Sequence, residues 1–284
     1  DTGPRGSLRY DNRLINRKGH RFESELRLSP VKSGLDAKYL IPGDDPLRET
    51  YSIGAGYLHE DTDTSTSDSV RLVGAQTIKG DPWTQTRFLE LLHERSEIGE
   101  EEVNSTLLMP GLTLSRVEAD DILRTQRGYR ISMEVRGAYE GLVSDATLVQ
   151  LRADTKAMYR FGDSGRITGR IQVGTTLGDG ADQLPASLRF FAGGDNSVRG
   201  YEYKSLGPKD DNGDVIGGRH LLTGSIEYEH PVVADDWWAA AFVDVDGGVE
   251  GRVEQVEPHD VDARIEDDDG YFILRSDNLL DDRS

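Results

Sequence analysis

The residues best placed to do chemistry lie in one glycine-punctuated stretch, which reads Leu188-Arg189-Phe190-Phe191-Ala192-Gly193-Gly194-Asp195-Asn196-Ser197-Val198-Arg199-Gly200-Tyr201. Gly193, Gly194 and Gly200 permit backbone conformations closed to other residues. Phe190, Phe191 and Tyr201 supply anchors, and Arg199 stands between Val198 and Gly200. A loop built this way looks ready to fold back and dock. Bond-making machinery, by contrast, has no frame in this sequence. There is no cysteine, so thiolate nucleophiles, thiolate metal sites and disulfides are excluded. No Gly-x-Ser-x-Gly elbow surrounds Ser197. His20, His59, His93, His220, His230 and His259 are scattered without metal-ligand spacing. Asp210-Asp211-Asn212-Gly213-Asp214 has a calcium-loop look, but Val215 holds the place that needs glycine and Leu221 the place that needs a bidentate glutamate, so a solvated turn is expected. Asp and Glu pairs are many, and nothing selects one as an acid/base dyad. The expectation is no cofactor, no metal and no enzymatic activity.

Composition narrows the partners. Against 33 lysines and arginines stand 52 aspartates and glutamates, a net charge of −19. A phosphate backbone calls for a basic surface, so nucleic acid is not an expected partner. Acidic residues cluster in turn-like stretches, around 61–68, 210–214 and 260–269. The longest uninterrupted apolar run is Trp237–Val243, well short of the roughly 20 residues of a spanning helix. Mean hydropathy is −0.57, which suits a soluble β-protein and suits equally a membrane barrel in which every second residue meets lipid.

Periodicity is more informative. From Val149 to Phe161, Val149, Leu151, Ala153, Thr155, Ala157, Tyr159 and Phe161 alternate with Gln150, Arg152, Asp154, Lys156, Met158 and Arg160. Successive side chains of a strand point to opposite faces, so this is a two-faced strand, long by globular standards. The same alternation runs through Tyr129–Arg136, Arg166–Val173 and Leu222–Glu229. It recurs less cleanly near residues 5–12, 20–28, 34–41, 51–59, 69–79, 84–95 and 103–116. With Trp237–Val245 this makes about a dozen strands and no amphipathic helix. The polar faces mix Arg, Lys, Glu and Asp, which a small packed core would not tolerate and a water-filled lumen would. The fold expected is all-β: a transmembrane antiparallel barrel, with a large soluble sandwich as the alternative. Trp237-Trp238 reads as an interfacial anchor. The connection between Leu177 and Gly218 is far longer than the others, and long connections in compact folds are usually functional.

On these residues the chain resembles the TamA branch of the outer-membrane assembly barrels, a superfamily that includes BamA and two-partner secretion transporters. The hallmark is Val198-Arg199-Gly200-Tyr201, preceded by Arg189-Phe190-Phe191-Ala192-Gly193-Gly194-Asp195 and followed by Tyr203-Lys204-Ser205 and Gly213-Asp214. The likeness continues through Leu222–Tyr228 and Trp237-Trp238 to Phe242-Val243-Asp244. The resemblance implies a sixteen-strand barrel in a bacterial outer membrane, with an extracellular loop tucked into its lumen. It further implies that inward carboxylates hold the loop arginine; by position, with the support of alternation, these are Glu227 and Asp244. Phe190, Phe191, Gly193, Gly194 and Asp195 would support the loop.

The likeness is incomplete. Residues 1–250 read as a partial barrel and 251–284 as a divergent acidic segment, with one short apolar patch at Tyr271–Leu274 and no closing strands of the family type. The periplasmic domains of the family are not in this sequence. The function implied is aiding insertion of autotransporter-type proteins. Its implied partners are client outer-membrane proteins, an inner-membrane-anchored TamB-like periplasmic protein and outer-membrane lipid. A passive pore or a phospholipid-transport barrel is the alternative.

Overall fold

Long two-faced segments with short polar connections leave each strand one cheap partner, its neighbour in sequence. The computed structural model describes residues 4–99, 101–121, 125–141, 143–162, 165–178, 184–233, 237–246, 259–267 and 270–274. For the last two stretches, and at residues 233, 237, 238 and 246, it describes the backbone alone; the expected role of the Trp237-Trp238 side chains lies outside it.

The strands are β1 (Gly6–Asn12), β2 (Arg21–Leu28), β3 (Lys32–Pro42), β4 (Glu49–Asp61), β5 (Ser65–Lys79), β6 (Thr84–Ile98), β7 (Glu101–Ala119), β8 (Arg127–Ala138), β9 (Leu148–Arg160), β10 (Arg166–Gly178), β11 (His220–Val233), β12 (Trp237–Asp246), β13 (His259–Asp267) and β14 (Gly270–Leu274). They form one 14-stranded antiparallel sheet in sequence order, and no pairing joins β1 to β14 among the described residues. β13 pairs with β12, and β14 with β13. The sequence reading ended the barrel near residue 250 and counted no strand beyond it. Val261, Ala263 and Ile265 do alternate there with Asp262, Arg264 and Glu266, but the density of acids hid the period.

The register carries one face of each strand continuously across the sheet. Tyr159 pairs with Ile167, and Ile167 with Tyr228; Ala153 pairs with Val173, and Val173 with Leu222. This face is apolar and exposed: Ile53 and Ile226 are each 65% accessible, and Ile171 is 54%. On the opposite face polar side chains are buried, with Gln150 at 6%, Thr223 at 2% and Asp244 at 3%. A water-soluble protein hides the first set and shows the second. The inversion fits lipid outside and a polar lumen within. Aromatic residues collect on the outer face near one rim: Tyr10 and Phe22 lie 6.3 Å apart, Tyr159 and Phe161 pack edge to face at 4.9 Å, and Tyr51 and Tyr228 occupy the same end of β4 and β11. Such a girdle marks a membrane interface. The long loop, described from residue 184 to 219, lies at the other rim.

Between the loop and β6–β9 lies an apolar cluster of Leu92, Leu107, Met109, Ala138, Ala146, Leu148, Leu184 and Leu188. This cluster seats the loop's first turn through Leu184 and Leu188.

A charge placed on the outer face should therefore destabilise far more than one placed inside. Ile226→Arg is expected to cost about 2–4 kcal/mol near mid-membrane, whereas Gln172→Arg, on the lumen face, should stay within about 1 kcal/mol. Urea titration of the protein in lipid vesicles reads both. Equal costs would contradict the assignment of faces.

Candidate functional site

The loop enters the lumen through backbone groups. A 3-10 turn, Ala186–Leu188, is pinned where the Ala186 N–H donates to Ser96 Oγ at 3.3 Å and the Ser187 N–H to Glu94 Oε1 at 3.0 Å. Gln150 Nε2 donates to the Leu188 carbonyl at 2.9 Å. Arg189 donates to the carbonyls of Leu184 and Ile216 and reaches Glu101 of β7 at 3.1 Å. The two limbs then meet in bridges between Phe190 and Gly218 and between Ala192 and Leu206.

Glycines let the limbs close on the aromatic anchors. Phe190 is buried with its ring against Gly174 of β10, and the Phe191 ring lies against Gly217, where any Cβ would collide with it. Gly193 and Gly194 have φ of 101° and 95°, the left-handed region that favours glycine. They turn the chain into a tip where the Gly194 N–H donates to the Tyr201 carbonyl at 3.0 Å and the Ser197 N–H to the Gly194 carbonyl at 3.0 Å. Val198 is sealed at 1% exposure, which fixes the direction of the next residue, Arg199.

Arg199 points into the wall made by β11 and β12. Its Nε donates to Asp244 Oδ2 at 2.9 Å and one terminal nitrogen donates to Asp244 Oδ1 at 2.8 Å, a bidentate pair. The same nitrogen donates to Ser225 Oγ at 2.8 Å, and the other terminal nitrogen to Glu227. The Arg199 backbone N–H donates to Asp244 Oδ2 at 2.8 Å. The guanidinium lies 3.4 Å from the centroid of the Phe242 ring, so stacking adds to the charge pairing. Both partners are nearly dry, the Arg199 side chain at 8% exposure and that of Asp244 at 4%. Charge-assisted bonds in such confinement are strong. Removing one member of a buried pair typically costs about 3–5 kcal/mol, because the other charge is stranded.

The structure thus brings Arg199, Glu227 and Asp244 together, with Val198, Phe190, Phe191, Gly193 and Gly194 shaping their approach. Tyr201 and Asp195 remain exposed at the tip; the Asp195 carbonyl accepts from Arg170 at 3.2 Å, and Gly200 adopts φ 87°. Asp210 Oδ1 accepts the amides of Asn212 and Asp214, each at 2.9 Å, which makes this stretch a capped turn.

Sequence reasoning did not identify Phe242 or Ser225, although their parity with Asp244 and Glu227 placed both on the lumen face. It also missed a second anchor. Lys204, five residues past Arg199, meets Glu60 of β4 at 2.5 Å, and Lys32 of β3 meets the same carboxylate at 3.2 Å. No local signal marks a pairing between residues so far apart in sequence. Below the loop, Lys156, Met158, Arg166, Thr168, Arg170, Asp195, Arg199, Glu227 and Glu229 line a cavity of about 490 Å³.

The comparisons with known proteins agree with this architecture. The Omp85 superfamily domain matches residues 7–260. The outer membrane protein assembly factor BamA of Nitratidesulfovibrio vulgaris is 29% identical over 85 residues, which are 30% of this chain and 11% of that protein. The crystal structure of BamA from Haemophilus ducreyi lacking POTRA domains 1-3 is similar with a TM-score of 0.81 at 13% identity, covering 98% of this chain and 65% of the other. CdiB from Acinetobacter baumannii gives a TM-score of 0.56 at 11% identity, over 92% of this chain and 49% of its own. The chain spans less than two thirds of the length of each of these relatives. An ordered antiparallel sheet, greasy outside and polar within, is matched along most of its length by one family: the chain belongs to the Omp85 superfamily of outer-membrane β-barrel proteins.

Proposed function

We propose that this barrel aids the insertion of other proteins into the outer membrane in the manner of TamA, with autotransporter-type proteins as clients, and that it does so without enzymatic chemistry. The observation that carries the reading is the Arg199 clamp. A loop docked through a bidentate ion pair, a second carboxylate and a stacked ring occupies the lumen as a brace. A passive conduit has no need of such a brace. Superfamily membership and the similarity to an assembly factor point the same way.

The mechanism proposed is non-covalent. Edge strands carry backbone N–H and C=O groups that an incoming strand can pair with, and in lipid each unpaired group costs on the order of several kcal/mol. An edge of this kind draws a client strand into register by satisfying those groups. The braced lumen keeps the remaining strands from collapsing meanwhile. A TamB-like periplasmic protein anchored in the inner membrane is the proposed partner, and outer-membrane lipid the medium.

Two measurements test this reading. Reconstituted in liposomes, the protein should speed insertion of a urea-denatured autotransporter β-domain severalfold over liposomes holding an unrelated barrel, and Arg199→Ala should remove most of the gain. No acceleration by the unaltered protein would defeat the assembly role. Full acceleration by a folded Arg199→Ala protein would defeat the brace. In a double-mutant cycle read by denaturant unfolding, Arg199→Ala and Asp244→Ala should each destabilise by about 3–5 kcal/mol, with a coupling above about 1 kcal/mol. Additivity within about 0.5 kcal/mol would mean that the two do not act as a pair.

A further inference from the structure

Several arginines of the lumen wall pair with carboxylates. Arg199 meets Asp244 and Glu227, Arg166 meets Glu229, Arg136 meets Glu134 and Glu90, and Arg152 meets Asp154. Three cations on adjacent strands have no such carboxylate. Arg130 of β8 is the register partner of Lys156 of β9, and Lys156 that of Arg170 of β10. All three belong to the lumen face, at one level of the barrel, side by side on adjacent strands. No carboxylate lies within ion-pair distance of any of them among the described residues. Arg170 finds only the Asp195 carbonyl.

Partners in an antiparallel register sit about 5 Å apart at Cα, and like charges directly opposite one another are destabilising. A row of three stacked cations is held at a cost unless something negative lies across it. The row borders the cavity described above, where Lys156 and Arg170 stand with the buried hydroxyl of Thr168 and the carboxylate of Asp195. The other four charges of that lining, Arg166 with Glu229 and Arg199 with Glu227, are already paired. Two cations without an ion pair, Lys156 and Arg170, then face one carboxylate in a space of about 490 Å³, large enough for a tetrahedral oxyanion and part of what it is attached to, and Arg130 stands next in register to Lys156. Ammonium and guanidinium donors from neighbouring strands, with a hydroxyl beside them, suit an anion that carries several acceptor oxygens.

We propose that Lys156 and Arg170, supported by Arg130 and Thr168, form a phosphate-binding site in the barrel lumen beneath the Arg199 loop. Its ligand class is a phosphate group, either free or as the headgroup of a lipid. The site is independent of the assembly role: it needs only the register and the cavity.

The test is calorimetric titration of the full chain in a non-ionic detergent, with inorganic phosphate in one arm and short-chain phosphatidic acid, below its micellar concentration, in the other. Both should bind to the unaltered protein, and Lys156→Gln and Arg170→Gln should each weaken binding at least tenfold. Arg152→Gln, which removes a paired arginine of the same wall, should change it less than twofold. Tighter binding of the phosphatidic acid by tenfold or more assigns the site to a headgroup, while equal affinities assign it to the free ion. A second readout guards against misfolded variants. Phosphate should raise the melting temperature of the unaltered protein, and Lys156→Gln, relieved of like-charge repulsion, should melt higher than it in phosphate-free buffer and no longer respond to phosphate. Absence of binding in both arms, or binding that Lys156→Gln and Arg170→Gln leave unchanged, overturns the proposal.

Discussion

Every feature of this chain answers to one constraint: inside a bilayer no water satisfies backbone N–H and C=O groups, so each must find its partner within the protein. A meander in which every strand pairs with its sequence neighbours satisfies that demand with the shortest connections. Once the backbone is paired, the two faces of the sheet are free to take opposite solvents. Ile53, Ile171 and Ile226 can point outward only because lipid receives them. Gln150, Thr168 and Ser225 are confined to the lumen because lipid would not. A lumen crowded with Arg, Lys, Asp and Glu follows from that division of faces.

The confined lumen in turn explains how one loop can be held so firmly. In bulk water an exposed ion pair contributes about 1 kcal/mol or less. The same pair, nearly dry and stacked on Phe242, becomes a fastening. The loop is anchored at several separate places: Ser96 and Glu94 on β6, Glu101 on β7, Gln150 on β9, Asp244 and Glu227 on β12 and β11, and Glu60 on β4. These strands lie on different parts of the wall, so the loop acts as a cross-tie. Arg189, Arg199 and Lys204 are its charged anchors, the last two on opposite sides of the Gly200 turn, and each is met by a carboxylate from a strand.

Much of this was legible in the residues, and the reason is periodicity. The two faces of β9, β10 and β11 follow from the alternation of Val149–Phe161, Ile167–Val173 and Leu222–Tyr228, because a register shift by one residue would turn every charge toward lipid. Glu227 and Asp244 were reachable by combining that parity with the family's loop motif. Phe242 was hidden by its type: an aromatic residue on a polar face reads as noise until a guanidinium is laid on it. Lys204 and Glu60 were hidden by distance, since the path that joins them runs through the fold of the loop and not along any strand. The strands β13 and β14 were obscured by acidic residues that diluted a period still present in Val261, Ala263 and Ile265.

The central claim is that outer and inner faces meet different solvents, and β9 offers the most direct measurement. Since the chain contains no cysteine, single cysteines placed in turn from Val149 to Phe161 can each carry a nitroxide spin label without background. In reconstituted vesicles, accessibility to oxygen, which concentrates in lipid, should peak at 149, 151, 153, 155, 157, 159 and 161. Accessibility to a water-soluble nickel complex should peak at the residues between. If both probes favour the same residues, or neither shows a period of two, the sheet does not divide lipid from water.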